Sequence, residues 1–412
     1  MIQSEPLVPL TDDQRNNFLW LNEPHIEKVV QALYAAKPFS VRFVGGCVRD
    51  SLLGQDPKDI DAATILQPDA VMHALESAGI TCVPTGIAYG TITAIIDHKA
   101  IEITTLRTDV ETDGRHATVE YTDDWMHDAV RRDFTINAIY LTPEGAMFDP
   151  VGGLGDLKKK KVKFIGDPQD RIKEDFLRIL RFFRFSARFC TEFDAPGLAA
   201  CAKLRAGIST LSAERVGDEF SAILRLPNAG MAVRKMVSTD VLSEIWQTDP
   251  NISAIENLKN LEPNSPVPLV LAALFGDKGN GIDKRLRHSN AERAIRENAL
   301  RAVRLVSSSL TDQTLLEYSY CLGKDVLADG VLLAASKCEI TSAEFDQFMQ
   351  SIARITVPVF AISGKHVVSA GVPAGPAVSK ILKAVEKRWI EEGFPDEQRQ
   401  HALLMSALSG EP

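Results

Sequence analysis

The residues in this sequence best suited to chemistry are two aspartates, Asp59 and Asp61, and the glycine pair Gly45-Gly46 about a dozen positions before them. Alternate side chains of a strand share a face, so Asp59 and Asp61 would point one way and Ile60 the other. Two carboxylates so placed can hold a pair of divalent cations ~4 Å apart, the arrangement that supports in-line displacement at phosphorus. Mg²⁺ in such sites is shared with substrate phosphates and needs few protein ligands. Glu102, flanked by core-facing Ile101 and Ile103, is the candidate third carboxylate from a neighbouring strand. Taken alone, Asp-x-Asp is equally the pattern of a solvated strand end.

The glycines sit where a phosphate would be held. Val41, Phe43 and Val44 read as a short buried strand, Gly45-Gly46 break it, and Cys47–Leu53 has helical character. Backbone N–H groups at a strand-to-helix turn bind anions, and Arg49, one turn into the helix, could reach the same oxygens. An ordinary tight turn would also carry two glycines; the carboxylates that follow favour the phosphate reading. No GxxxxGK[ST] stretch occurs, which excludes a P-loop NTPase.

A second informative stretch is Arg171–Phe189, read as one helix over 170–189. Ile172, Phe176, Ile179, Leu180, Phe183 and Ala187 form its apolar face, and Arg171, Glu174, Asp175, Arg178 and Arg181 gather opposite. Such a face can be a solvated ladder of ion pairs. It can also read a base, because Asp175 offers only acceptors and Arg178 only donors. Cytosine and adenine each present an amine donor beside a ring-nitrogen acceptor and would match the pair. Guanine and uracil present the reverse and would leave both side chains unpaired. Arg181, one turn on, is a further nucleotide-binding candidate, and Glu174 a support for the pair.

Between these stretches, Arg107–Asp124 is polar, contains glycine and reads as a loop that could order over a substrate. Its Asp113-Gly114-Arg115-His116 could bring a cation to phosphates or be a plain surface turn. Arg131-Arg132-Asp133-Phe134 could supply an arginine to phosphate and an acid to a ribose hydroxyl, or be a helix start with local salt bridges. His127-Asp128 has no partner His/Asp cluster for a metal-dependent hydrolase.

The elements that must position these residues follow from patterning. Amphipathic Glu27–Ala36 leads into the Val41 strand, and apolar alternation recurs at Thr91–Ile96, Ala100–Thr104 and Ile136–Leu141, with a helix near Asp69–Ala78. Beyond Pro168 helical periodicity dominates. The expected layout is α+β: an N-terminal extension with one short helix over 1–25, a small mixed-sheet domain over 26–153, then helices over 154–246 and 247–412. At 412 residues and 45% hydrophobic content, cores are ample for several domains. No apolar run reaches the roughly 20 residues of a membrane span, and the acidic N-terminus does not resemble a secretory signal. Six scattered cysteines without CxxC spacing argue against zinc or a disulfide framework and for a reduced, cytoplasmic protein. A net charge of −9 weighs against nucleic acid, yet Lys158–Lys161 and the arginines from 171 to 188 make a local basic strip that could bind RNA.

Taken in order, GGCVRD, DIDAAT, IEITTLRTD, DGRH, RRDFTINA, FDPVGGLGDL, EDFLRILRFFRF and AERVGDEF resemble the motif series of class II tRNA nucleotidyltransferases, the CCA-adding enzymes, which are similar to bacterial poly(A) polymerases. The match covers residues 40–225 in detail. The resemblance implies a polymerase-β-like nucleotidyltransferase head, a helical neck carrying the base template, and a helical body and tail binding tRNA. It implies Mg²⁺ on Asp59 and Asp61, Glu102 as additional carboxylate, and triphosphate on Gly45, Gly46 and Arg49. Arg132 and Asp133 would contact triphosphate and ribose, and Arg115 would help the change from C to A addition. Asp175 and Arg178 would be the base template for CTP and ATP, with Glu214 and Arg215 bracing it. Ile362–Trp389 resembles the family's tail, a glycine-linked helix pair that supports the tRNA elbow, with Lys380, Lys383, Lys387 and Arg388 available for phosphates. Where the poly(A) branch carries a GRRF-like segment, this chain reads IEITTLR, which favours CCA addition; an intact DGRH favours A addition over a CC-only enzyme. Partial A- or CC-addition, poly(A) synthesis and non-catalytic RNA binding are the alternatives.

Overall fold

The computed structural model describes residues 7–113 and 116–409. It divides into two compact units, the first ending at Gln247 and the second beginning at Thr248. In the first, β1 (Val8–Pro9), β2 (Val41–Val44), β3 (Ile60–Thr64), β4 (Thr81–Gly86), β5 (Thr91–Ile96), β6 (Lys99–Thr105), β9 (Tyr140–Leu141) and β10 (Ala146–Phe148) form one sheet. Its order is β1-β10-β9-β2-β3-β6-β5-β4, while β7 (Arg107–Asp113) and β8 (His116–Tyr121) make a separate hairpin. Every pairing in the sheet is antiparallel except β3 with β6. The mixed sheet is the one the alternating pattern leads one to expect.

Burial follows the pleat. In β6, Ile101 and Ile103 are buried and Glu102 between them is exposed. Helices Pro24–Ala36 and Pro68–Ser77 pack against each other and against the sheet through Ile26, Val29, Leu33, Val71 and Leu75. Of residues 1–25, expected as an extension, the described part from Leu7 on is instead built into the head. β1 pairs with β10, Phe18 and Trp20 are buried, and the Trp20 indole donates to Ser51 Oγ at 2.9 Å, edge-on to Phe43.

Three local expectations are corrected. The 107–124 stretch is a hairpin with a register shift between Asp109 and Glu111 rather than a loop, because alternation in TVEY suffices for pairing once a partner strand is adjacent. Ile136–Leu141 is a single turn of 3₁₀ helix, Thr135–Asn137, followed by the short strand β9. The helix expected over 170–189 is two helices, Pro168–Glu174 and Leu177–Phe189, with Asp175 extended between them at φ −154°. The Asp175 carboxylate accepts from Leu177 N at 3.0 Å, a side-chain bond that competes with helix continuation.

Among its described residues the second unit's regular elements are all helices. Its centre is Val267–Phe275, every residue of which is buried. In helix Lys324–Ser336, a Cβ added at Gly330 would lie 2.6 Å from that of Ala302, so this helix crosses Asn290–Val303 in backbone contact. Towards the C-terminus, Gly364–Ser369 and Pro376–Glu391 are joined through Gly371 (φ 97°) and Gly375 (φ 158°), around Val367, Val385 and Trp389.

Candidate active site

Asp61 and Glu102 meet because β3 and β6 run parallel in a register that pairs them residue for residue. Asp59 lies in the bend just before β3 rather than on the strand, since the ladder begins at Ile60 opposite Ile101. Burial, followed by the charge of Glu102, pushes the Asp61 carboxyl up to about 6 from its ordinary 3.8; Arg132 opposes this and Asp59 adds to it. A divalent cation would relieve that repulsion. No three His, Cys, Asp or Glu side chains among the described residues converge as a ready-made metal site.

Over this edge stands the turn from β2 into helix Gly46–Leu52. Gly45 has φ +81°, and a Cβ there would lie 3.9 Å from Asp61 Oδ2 and 4.0 Å from Arg132 Nη1, so the turn leaves a cradle between a carboxylate and a guanidinium. Arg132 spends Nε and Nη2 on Asp128 and Tyr140, which leaves Nη1 towards Gly45. Asp128, which looked idle in the sequence, is buried and also accepts from Arg131 Nε at 2.8 Å. Its two arginines outweigh burial and hold its carboxyl well below the usual range.

Arg49 is buried, not free in the cleft. It donates to Asp50 Oδ1 at 2.8 Å and Asn137 Oδ1 at 2.6 Å, and lies over the rings of Phe185 and Phe189. Asp133 is likewise engaged: Oδ1 accepts from Phe134 N and Asn137 Nδ2, and Oδ2 from Arg181 Nε at 2.7 Å. Burial raises the Asp133 carboxyl, but Arg181 and these hydrogen bonds prevail and hold it down. Arg181 further approaches Glu219, which accepts from Arg184 at 2.7 Å, and Arg188 donates to Asp50 at 3.0 Å.

The break at Asp175 presents the two side chains that the sequence offers as a base-reading pair, Asp175 and Arg178. Asp175 Oδ2 accepts from Arg215 Nη2 at 2.7 Å. Arg178 gives Nη1 to Glu174 at 2.6 Å and to the Arg171 carbonyl, and Nη2 to the Arg131 carbonyl at 3.2 Å. Arg171 grips Glu174 with Nη1 and the consecutive carbonyls of Arg131 and Arg132 with Nη2. Glu214 is exposed on the helix after Ser212. Arg115 lies outside the described residues.

These groups face one cleft of about 420 Å³. Gly45, Gly46, Arg49, Asp61, Arg132, Asp133, Asp175, Arg178 and Arg181 line it; Asp59, Glu102, Glu174, Glu214 and Arg215 do not. Residues with no site role in the sequence reading also line it or support it: Asn137, Arg184, Phe185, Arg188, Asp50 and Glu219. Asn137 stood within RRDFTINA, and Arg184 and Arg188 continue the arginine spacing of the basic strip; Asp50 and Glu219 carried no signal beyond lying in GGCVRD and AERVGDEF. Seven arginines against three aspartates make the cleft strongly cationic in a protein of net charge −9.

A mixed sheet bearing a glycine turn above a strained carboxylate, walled by arginines, is the site of a nucleotidyltransferase. The Poly A polymerase head domain matches residues 41–163. The mouse mitochondrial CCA tRNA nucleotidyltransferase 1 is 34% identical over 89% of this chain and 86% of its own length. The CCA-adding enzyme of Limosilactobacillus fermentum is 30% identical over 86% of this chain and 89% of its own. In fold, the chain is similar to the CCA-adding enzyme of Bacillus stearothermophilus solved in complex with CTP, with a TM-score of 0.75 at 23% identity, covering 94% of this chain and 98% of that one. The chain belongs to the CCA tRNA nucleotidyltransferase family.

Proposed function

We propose that the protein adds C, C and A to the 3′ end of tRNA, taking CTP and ATP in turn without a nucleic-acid template and releasing pyrophosphate. The observation that carries this reading is the Asp175–Arg178 pair facing the same cleft as Gly45 and Asp61. Arg178 keeps its Nε–H and one Nη2–H without a partner among the described residues, and each Asp175 oxygen retains a lone pair. A donor beside an acceptor is thus offered to cytosine or adenine, while Arg215 and Glu174 hold the two side chains.

Gly45, Gly46, Arg49 and Arg132 Nη1 would take the triphosphate, Arg49 from its place in the cleft lining beside Asp50 and Asn137. Asp133, held in place by the bonds it accepts from Arg181 and Asn137, would meet the ribose with a remaining lone pair. Asp59, Asp61 and Glu102 would hold Mg²⁺, which when bound would supply the positive charge that favours ionisation of the tRNA 3′-hydroxyl and release of pyrophosphate. The remaining catalysis is positioning and fixed positive charge from the arginine wall. Arg115 would assist the change from C to A.

The six cysteines are free thiols, which suits a reducing compartment. No described helix is long and apolar enough to cross a membrane. The mitochondrial name of the mouse relative sets the mitochondrion beside the cytoplasm as the address.

The test is incubation of the full chain with tRNA ending at its discriminator base and all four NTPs, followed by product sequencing. Tails ending CCA are expected. Long A tails would assign poly(A) synthesis, addition of A alone or CC alone a partial enzyme, and no incorporation a binding module.

A further inference from the structure

A buried carboxylate stands behind the nucleotide cleft without lining it. Asp128, on helix Trp125–Val130, is 1% exposed, and the two arginines it holds, Arg131 and Arg132, both line the cleft. Stability alone does not call for such a group, because apolar side chains of similar volume often replace a buried ion pair at no cost. A fixed geometry does call for it.

Both oxygens of the carboxylate are engaged. Oδ1 accepts from Arg131 Nε at 2.8 Å, and Oδ2 accepts from Arg132 Nη2 at 3.0 Å, Arg132 Nε at 3.2 Å and the Tyr140 hydroxyl at 2.6 Å. Tyr140 is itself fixed, in β9 and edge-on to Trp125 at 5.6 Å between ring centroids, and its hydroxyl accepts from Arg132 Nε at 3.1 Å. Arg132 is thus held at two of its three nitrogens. A guanidinium is planar, so that grip fixes the direction of the third, Nη1. Nη1 lies 4.0 Å from the point a Cβ on Gly45 would occupy. An arginine released from this clamp could turn towards Asp61, whose Oδ2 is 3.9 Å from the same point, and close the cradle.

We infer that Asp128 is a positioning residue for nucleotide addition: it holds Arg132 so that Nη1 stays aimed at the triphosphate and off Asp61. The inference rests on the triphosphate assignment proposed above and gives the buried acid a role in that same site. Charge alone predicts the opposite sign, since removing an anion from behind a cationic wall strengthens the field that draws a triphosphate.

The test is Asp128→Asn in the full chain, which keeps the side chain's volume and one acceptor but loses the charge and the other acceptor. Dissociation constants for inorganic triphosphate and CTP, and kcat/KM for CTP against UTP, would be compared with wild type and measured again in an Arg132→Ala background. The expected result is roughly tenfold weaker binding of both ligands, the scale of one weakened charge-assisted hydrogen bond, with the wild-type preference for CTP over UTP retained. In the Arg132→Ala background the same change should have no further effect, because Asp128 acts through that arginine. Unchanged or tighter binding overturns the inference. So does an equal loss in the Arg132→Ala background, which would mark a general structural role. Should Asp128→Asn not fold, Tyr140→Phe removes one donor from the same carboxylate and one acceptor from the same arginine; triphosphate binding that is unchanged or tighter in that variant again overturns the inference. A wild type that adds no nucleotide to tRNA would sink the functional reading, while the inorganic triphosphate titration would still decide the role of Asp128.

Discussion

Replacing Arg178 by alanine removes the donor half of the base-reading pair and leaves Asp175 and its Arg215 brace in place. A hydrogen bond to a charged group contributes about 1.5–3 kcal/mol net. Two such bonds to cytosine, both unpaired against uracil, give roughly 3–6 kcal/mol of discrimination between CTP and UTP. Loss of one should cut that by about half, a fall of ~10- to 150-fold in the ratio of kcat/KM values at 1.4 kcal/mol per decade. Arg178 also ties Glu174 and two main-chain carbonyls together, so some loss of thermal stability is expected too. The ratio is immune to that loss, because both substrates are measured on the same folded fraction. The assay is single-turnover incorporation of each nucleotide into tRNA ending at the discriminator base. A variant slower with CTP and UTP by the same factor would refute the pairing and leave Arg178 a purely structural residue.

Asp61→Asn should abolish incorporation yet stabilise the metal-free protein at neutral pH. Since the Asp61 carboxyl titrates near 6 in the folded chain against an ordinary 3.8, the folded state holds the extra proton. Wild-type stability should therefore fall as pH rises through that window, and the Tm gap to Asp61→Asn should close below about pH 4. Added Mg²⁺ should raise the wild-type Tm and not that of the variant; equal Mg²⁺ response would remove Asp61 from the metal site. Gly45→Ala forces a β-carbon into a positive-φ position beside Asp61 and should cost about 1–2 kcal/mol in stability, with a raised KM for CTP; unaltered CTP kinetics would contradict the cradle. Trp20→Ala removes a buried ring and its bond to Ser51, for a loss of about 3–5 kcal/mol by denaturant unfolding; a loss under about 1 kcal/mol would show the 8–22 segment to be a detachable arm.

What was legible in the sequence is what local periodicity encodes. Glu102 between two isoleucines announced an alternating strand, and its outward direction follows from that alone. That it stands beside Asp61 depends on a parallel register between segments about forty residues apart, which no local pattern contains. The Arg171–Phe189 stretch looked like one helix because its apolar spacing continues through the break. The competing signal was the single Asp175 side chain, whose bond to Leu177 N defeats a helical hydrogen bond at one position. Trp20 looked like part of an extension because its partner, Ser51, lies far along the chain. Arg49 and Asp133 were read as free ligands since a sequence shows charge but not how much of it is already spent.

Of the bonds that tie the Asp175 break to the neighbouring turn, three end on the carbonyl oxygens of Arg131 and Arg132. Every amino acid supplies that oxygen, so exchange of the side chain at position 131 leaves the anchorage available. Insertion or deletion of one residue between Val130 and Asp133 would move both oxygens at once, and with them the separation between the base-reading and phosphate-reading groups. On the proposed function, nucleotide choice should therefore tolerate side-chain exchange at position 131 and fail on a one-residue insertion or deletion between Val130 and Asp133.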